Sequence, residues 1–353
     1  MKGEHQVYLF LCIIIAMSGC FHSTTDHQEP DMLTREDSIP HDASKITPQT
    51  DKYPPLLHSD QWEEPVPVEG PINTAGAEDS PFMYGDDFYF FFTPDPSLPA
   101  EDQVVDGVTG IYVSHRRNGR WGIPEKVILE NEGVCSLNGC TFIRGDTMWF
   151  CSAREGYTGV HWFTAKMQDG TWTDWEEAPF DPAYEIGELH ITSDGRTLYF
   201  HSSRPGGKGG LDIWSSEYDH GHWQEPTPVE EVNTEKNEGW PFVTEDGKEL
   251  WFTRTYKGSP AIFRSEQVEG HWQESELIIS QFAGEPTLDQ DKNIYFVHHF
   301  YRDGTMLEAD IYVASRIPGE HSVLWPGVSS LLWGLGFIAG SWTVQKRRNC
   351  RNQ

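Results

Sequence analysis

Acidic side chains recur at one kind of place in the 353 residues: Glu78 and Asp79, Glu188, Glu238 and Glu285 stand where apolar segments begin. Carboxylates gathered by repetition could hold a cation or a polyhydroxylated ligand. Ca²⁺, which takes roughly six to eight oxygen ligands, is the candidate metal. Glu188 and Glu285, with Asp79, could also share acid, base and orienting roles. The competing reading is structural: a carboxylate at a strand start caps nearby backbone amides, and a repeat carries its structural residues with it. His190, His298 and His299 lack Cys or Asp partners at zinc spacing. Arg154, Arg204 and Arg254 each follow an apolar hairpin and are expected to make ion pairs between neighbouring units. The chain has no phosphate loop, no Gly-x-Ser-x-Gly elbow and no Cys/His nucleophile pair.

The elements that position these residues come from a repeat. Asn73, Thr74, Glu78, Pro81 and Phe82 recur at the same offsets as Asn233, Thr234, Glu238, Pro241 and Phe242. Upstream, Trp62, Glu64, Pro65, Pro67, Val68 and Glu69 match Trp223, Glu225, Pro226, Pro228, Val229 and Glu230 with one residue of slippage. An inner hairpin runs through the chain five times, over Pro81–Phe91, Cys140–Cys151, Leu189–His201, Pro241–Thr253 and Pro286–Val297. Asp194-Gly195 and Asp246-Gly247 supply the turn chemistry hairpins need, and Gly145-Asp146 serves the second copy. A third strand follows each hairpin, and a fourth opens at Trp121, Trp172, Trp223 and Trp272. Four short strands per unit predict an all-β chain, a five-bladed β-propeller over residues 58–317. The fifth unit lacks its Trp strand, and the stretch around Trp62 is expected to complete that blade and close the ring. The carboxylates would then crowd one mouth of the central channel.

Cys135, Cys140 and Cys151 fall in the second unit. Counting out from the turn sets Cys140 opposite Cys151 as a hydrogen-bonded pair, about 5.5 Å between Cα atoms and so within disulfide reach. A Cys135–Cys140 bridge competes, and either leaves one thiol over.

The stretch from Leu189 through Asp194, Gly195, Tyr199, Phe200, Arg204 and Asp212 to Trp214 resembles the WD40-like β-propeller repeats of the TolB type. Such repeats occur in periplasmic binding proteins, peptidase accessory domains and lipoproteins, so the resemblance implies a fold and no single activity. Five-bladed propellers also include glycoside hydrolases of family 43, whose three carboxylates converge at the channel; Asp79, Glu188 and Glu285 are the residues that comparison would recruit.

The ends lie outside the repeat. Residues 1–20 carry an apolar core, Val7 to Met17, too short to span a bilayer and followed by Met17-Ser18-Gly19-Cys20. This resembles a bacterial lipoprotein signal with Cys20 as the lipidated residue. Residues 21–57 are polar and without hydrophobic period, which predicts a disordered tether. Residues 323–344 are uncharged and long enough for a transmembrane helix. Lys346, Arg347, Arg348 and Arg351 place the tail 345–353 in the cytoplasm. The segment is also similar to exosortase-type sorting tags, with Trp325-Pro326-Gly327 in place of their Pro-Glu-Pro.

Against 55 acidic residues stand 26 Lys and Arg, a net charge of −29, and nucleic acid or an anionic lipid surface needs clustered cations. The sequence therefore predicts an exported, membrane-anchored module whose partner is a protein or glycan at the cell envelope, with a glycan-active enzyme as the alternative.

Overall fold

The computed structural model describes residues 34–180 and 186–318. The expected signal segment, lipidation at Cys20, transmembrane helix and basic tail lie outside them. Among the described residues no helix is long and apolar enough to cross a membrane.

The chain is all-β and propeller-like. Each repeat forms an antiparallel meander. The second is the most regular, with Ser136–Arg144, Thr147–Arg154, His161–Gln168 and Thr171–Glu177 in order. The first strands of successive repeats are Ala77–Tyr84, Ser136–Arg144, Leu189–Ile191, Glu238–Val243 and Ala283–Leu288. Each packs beside the next, and the last lies against the first, so the five surround a common axis. Aromatic second strands carry the interior: Phe88, Phe90, Phe92, Phe150, Phe200, Trp251, Phe252 and Phe296 are fully buried between units.

The N-terminal stretch does complete the last repeat. Val66 and Pro67 pair with Val313 and Tyr312 of the strand Thr305–Ala314, and Trp62 bridges to Arg316. Trp62 also donates its indole N–H to the Lys292 carbonyl at 2.9 Å and meets Trp251 edge-on at 5.5 Å.

The repeated Asn and Thr explain themselves in this frame. Asn73 exchanges two 2.9 Å hydrogen bonds with the backbone of Ile311 in the preceding unit, and Asn233 does the same with Ile213 at 2.7 and 2.8 Å. A side-chain amide thus imitates one residue of strand pairing and staples consecutive units together.

Residues 34–57 correct the expectation of a solvated tether. Three charged groups bind this segment to the units. Arg35, in the short helix Arg35–Ser38, reaches Glu78; Lys45 bonds Glu308 and Asp310; and Asp51 accepts from His298 at 2.9 Å. Composition marks such a segment as polar but carries no record of buried opposite charges waiting on another part of the chain.

Candidate functional site

The inner strands reach the axis by a shared irregularity. Pairing with the second strand skips between Asp79 and Phe82, Gly139 and Phe142, Gly239 and Phe242, and Gly284 and Thr287. Ser80, Cys140, Trp240 and Glu285 lie in these bulges with left-handed backbones, φ 48–56°. Bulges re-aim a side chain out of the ladder, and the aligned residue of the third unit is Glu188. The next level of the axis is Phe82, Phe142, His190, Phe242 and Thr287, two residues further along each strand. Phe82 to Phe142, Phe142 to His190 and His190 to Phe242 are in contact at 5.5, 4.7 and 4.8 Å, an aromatic waist. On its turn side lies an open mouth of about 680 Å³. On the other side lies a chamber of about 110 Å³, bounded by Asp79, Ser80, Cys140, Glu188, Trp240 and Glu285, with Gln103 and Tyr301 further out.

The five sequence-predicted acids therefore separate into two sets. Glu78 and Glu238 stand two positions before the bulge residue and never reach the chamber. The Thr74 hydroxyl and N–H donate to Glu78 at 2.6 and 2.9 Å, and those of Thr234 to Glu238 at 2.6 and 3.1 Å. Arg35 completes the first arrangement at 3.3 Å and Arg254 the second at 2.7 Å. Burial pushes Glu78 up to about 8 against the pull of Arg35, and raises Glu238 against Thr234 and Arg254. For these two the structural reading holds.

Asp79, Glu188 and Glu285 converge. The Ser80 hydroxyl lies 3.0 Å from Glu188 and 3.2 Å from Glu285, and the Ser80 N–H donates to the same Glu285 oxygen at 2.9 Å. Three carboxyl groups facing one small chamber cannot all ionise cheaply. Burial, then the neighbouring Glu285, holds Asp79 and Glu188 well above the usual carboxylate range, and burial lifts Glu285 to about 7. Chemically this is a set of carboxyl groups whose neutral form burial favours, beside a shared hydroxyl, with Glu285 poised at about 7. Asp79 is also the only side chain of its row: the aligned positions are Gly139, Gly187, Gly239 and Gly284. A Cβ at Gly187 would collide with the His201 ring, and one at Gly239 would crowd it at 3.3 Å.

Stability should fall as pH rises from 6.5 to 8. The folded chamber binds protons that the unfolded chain has already released, so the stability these carboxyls contribute is lost as pH climbs through their folded values. Below 6.5 the buried imidazoles of His190, His201 and His299, pushed down to about 3, 4 and 4, oppose this trend, because acid must charge them. Glu285 alone accounts for about 1 kcal/mol over the window, and Asp79 and Glu188 add in the same direction. Denaturant midpoints at the two pH values check it; a midpoint equal or higher at pH 8 would contradict it.

Among the described residues no group of three or more His, Cys, Asp or Glu has the arrangement of a metal site, and Ca²⁺ gains no support from the donor set. Arg154 and Arg254 bond within their own units rather than across units, over Phe163 and Phe263 at 4.1 and 4.5 Å. Arg204 likewise pairs with Glu225 of its own unit at 3.1 Å. His298 belongs to the Asp51 pair, while His299 lines the chamber. The bulge also corrects the cysteine register: Cys151 stands opposite Gly139, and Cys140 and Cys151 are free thiols, the Cys151 side chain near enough to raise the Cys140 thiol further than burial alone. Sequence reasoning missed Ser80 and Trp240. Aligning the residue just before Pro81, Pro241 and Pro286 would have found them.

No protein-family model and no curated protein sequence matches the chain. Among solved structures it is similar to an endo-arabinase from Bacteroides thetaiotaomicron VPI-5482, at 14% identity over 71% of this chain and 97% of that one, TM-score 0.47. TolB from Acinetobacter baumannii matches at 12% identity over 69% and 55%, TM-score 0.42. A xylan β-1,4-xylosidase from Bacillus halodurans C-125 matches at 16% over 70% and 54%, TM-score 0.43. The chain spans about half the length of the last two, and likenesses at this level carry nothing about its activity.

Proposed function

We propose that the chain is a five-bladed propeller whose axial chamber is a glycan-active, acid–base carboxyl site. The observation that carries this reading is the single Ser80 hydroxyl shared by Glu188 and Glu285, with Asp79 as the third acid of the same chamber. A carboxyl pair with one member protonated near pH 7 supplies both the acid and the base that cleavage of a glycosidic bond requires. Trp240 and Tyr301 offer apolar faces to a sugar ring beside those acids. The signal-like and apolar terminal segments support export and membrane anchoring, which would place the chamber at the cell envelope.

A second reading, a binding module without turnover, is favoured by the size of the chamber and by the aromatic waist that closes one side of it. The full chain in detergent, offered nitrophenyl pentosides and hexosides at pH 5–7, tests the two together. Release of nitrophenol above the protein-free blank supports the enzyme, and saturable sugar-dependent quenching of tryptophan fluorescence without release supports the module. If neither occurs across the panel, the glycan assignment fails.

A further inference from the structure

We propose that Cys140 and Cys151 form a reversible dithiol–disulfide site in the wall of the carboxyl chamber. Both line it, and Cys140 directly follows Gly139, the residue paired with Cys151 across the hairpin. No other unit has cysteine at either position: the residues aligned with Cys140 are Ser80, Glu188, Trp240 and Glu285, and those aligned with Cys151 are Phe91, His201, Thr253 and Val297. Blade packing therefore does not demand sulfur here. Space beside the pair is kept open by Gly139, whose absent Cβ would sit 3.6 Å from the Cys151 sulfur. Cys140 is the more exposed of the two and meets a reagent entering the chamber first.

The oxidant is a disulfide, either a small molecule or an oxidoreductase. Cys140 loses its proton to solvent, against the neighbouring Cys151 thiol and the burial that both raise its pKa, attacks one of the reagent's sulfurs and releases the other as thiolate, giving a mixed disulfide. Cys151 then attacks the Cys140 sulfur and releases the second thiol. Two electrons pass to the reagent, which leaves as two thiols, and the protein loses two hydrogens. The inference does not require the chamber's ligand to be a glycan.

The test equilibrates the reduced full chain against a series of oxidised-to-reduced glutathione ratios, quenches by alkylation and digests with trypsin. Cys151 lies on peptide 145–154, whereas Cys140 shares peptide 127–144 with Cys135. Wild type should yield the cross-linked pair of peptides with loss of two hydrogens, and reduction should reverse it. Cys135→Ser should retain the cross-link, and Cys140→Ser should abolish it. A cross-link that disappears in Cys135→Ser, or wild type in which Cys140 and Cys151 stay alkylatable at every ratio, overturns the proposal. Because the wild-type and Cys135→Ser arms decide the matter, misfolding of Cys140→Ser would not obscure it.

Discussion

Arg35→Ala will destabilise the fold by about 3–5 kcal/mol, because two buried carbonyls lose their donors at about 1–3 kcal/mol each and three aromatic rings lose the cation lying over them. Arg35 is 4% exposed and Glu78 is fully buried. The guanidinium also donates to the Pro71 and Ile72 carbonyls at 2.6 and 2.9 Å and lies 5.1–5.6 Å from the rings of Phe90, Phe92 and Tyr112. In the fourth unit Arg254 does the same work from within the strand, bonded to Glu238 and the Val232 carbonyl and set over Phe252 and Phe263. The first unit carries Phe92 at that position, so its guanidinium arrives from a segment more than thirty residues upstream. Removal leaves two carbonyls without donors and takes away the guanidinium that draws the buried Glu78 carboxyl toward its ionised form. The denaturant midpoint should fall with little change in slope, and Arg35→Lys should recover only part, lacking the planar fork. A midpoint unchanged in Arg35→Ala would mean that Arg35 contributes nothing to the stability of the ring.

On the proposed glycan-active reading, Glu188→Gln and Glu285→Gln each lower glycoside hydrolysis by at least about 100-fold, the lower range for losing a positioned acid or base. Glutamine matches each side chain in shape and can still accept from Ser80, but it neither gives nor takes the proton. Neither variant should unfold the protein, since the replaced group is one that burial already favours as neutral; at pH 8 Glu285→Gln should be the more stable protein. Initial rates on any substrate that wild type turns over give the measurement. Turnover unchanged in either variant removes that carboxyl from the chemistry.

Much of the fold was legible because a repeat writes each constraint several times. The Asn-Thr-x-x-x-Glu spacing, the aromatic second strands and the Trp62 closure all follow from residues recurring at fixed offsets, and the structure shows what each contacts. The site was half legible. Glu78 and Glu238 look like Glu188 and Glu285 when each is described only as an acid near a strand start. They differ by two positions relative to the bulge, and that offset turns one pair toward Thr and Arg and the other toward the axis. The bulge itself carries a weak signal, since Ser80, Cys140 and Glu285 are not residues that announce a left-handed backbone. It also made the simple count across the Cys140–Cys151 hairpin err by one. Residues 34–57 were illegible for another reason: Arg35, Lys45 and Asp51 find partners 43, 263 and 247 residues away. Nothing local in a polar segment records such pairing.

The proposed site exists only if the axial chamber holds its carboxyl groups well above their ordinary titration range. Carboxyl carbon NMR of the full chain with ¹³C-labelled glutamate reads this directly. One side-chain carboxyl resonance should titrate near pH 7 in wild type and be missing from Glu285→Gln, and another should titrate well above the ordinary range and be missing from Glu188→Gln. If the resonances that disappear in these two variants titrate at the ordinary glutamate value in wild type, the chamber holds ordinary carboxylates and the acid–base site does not exist.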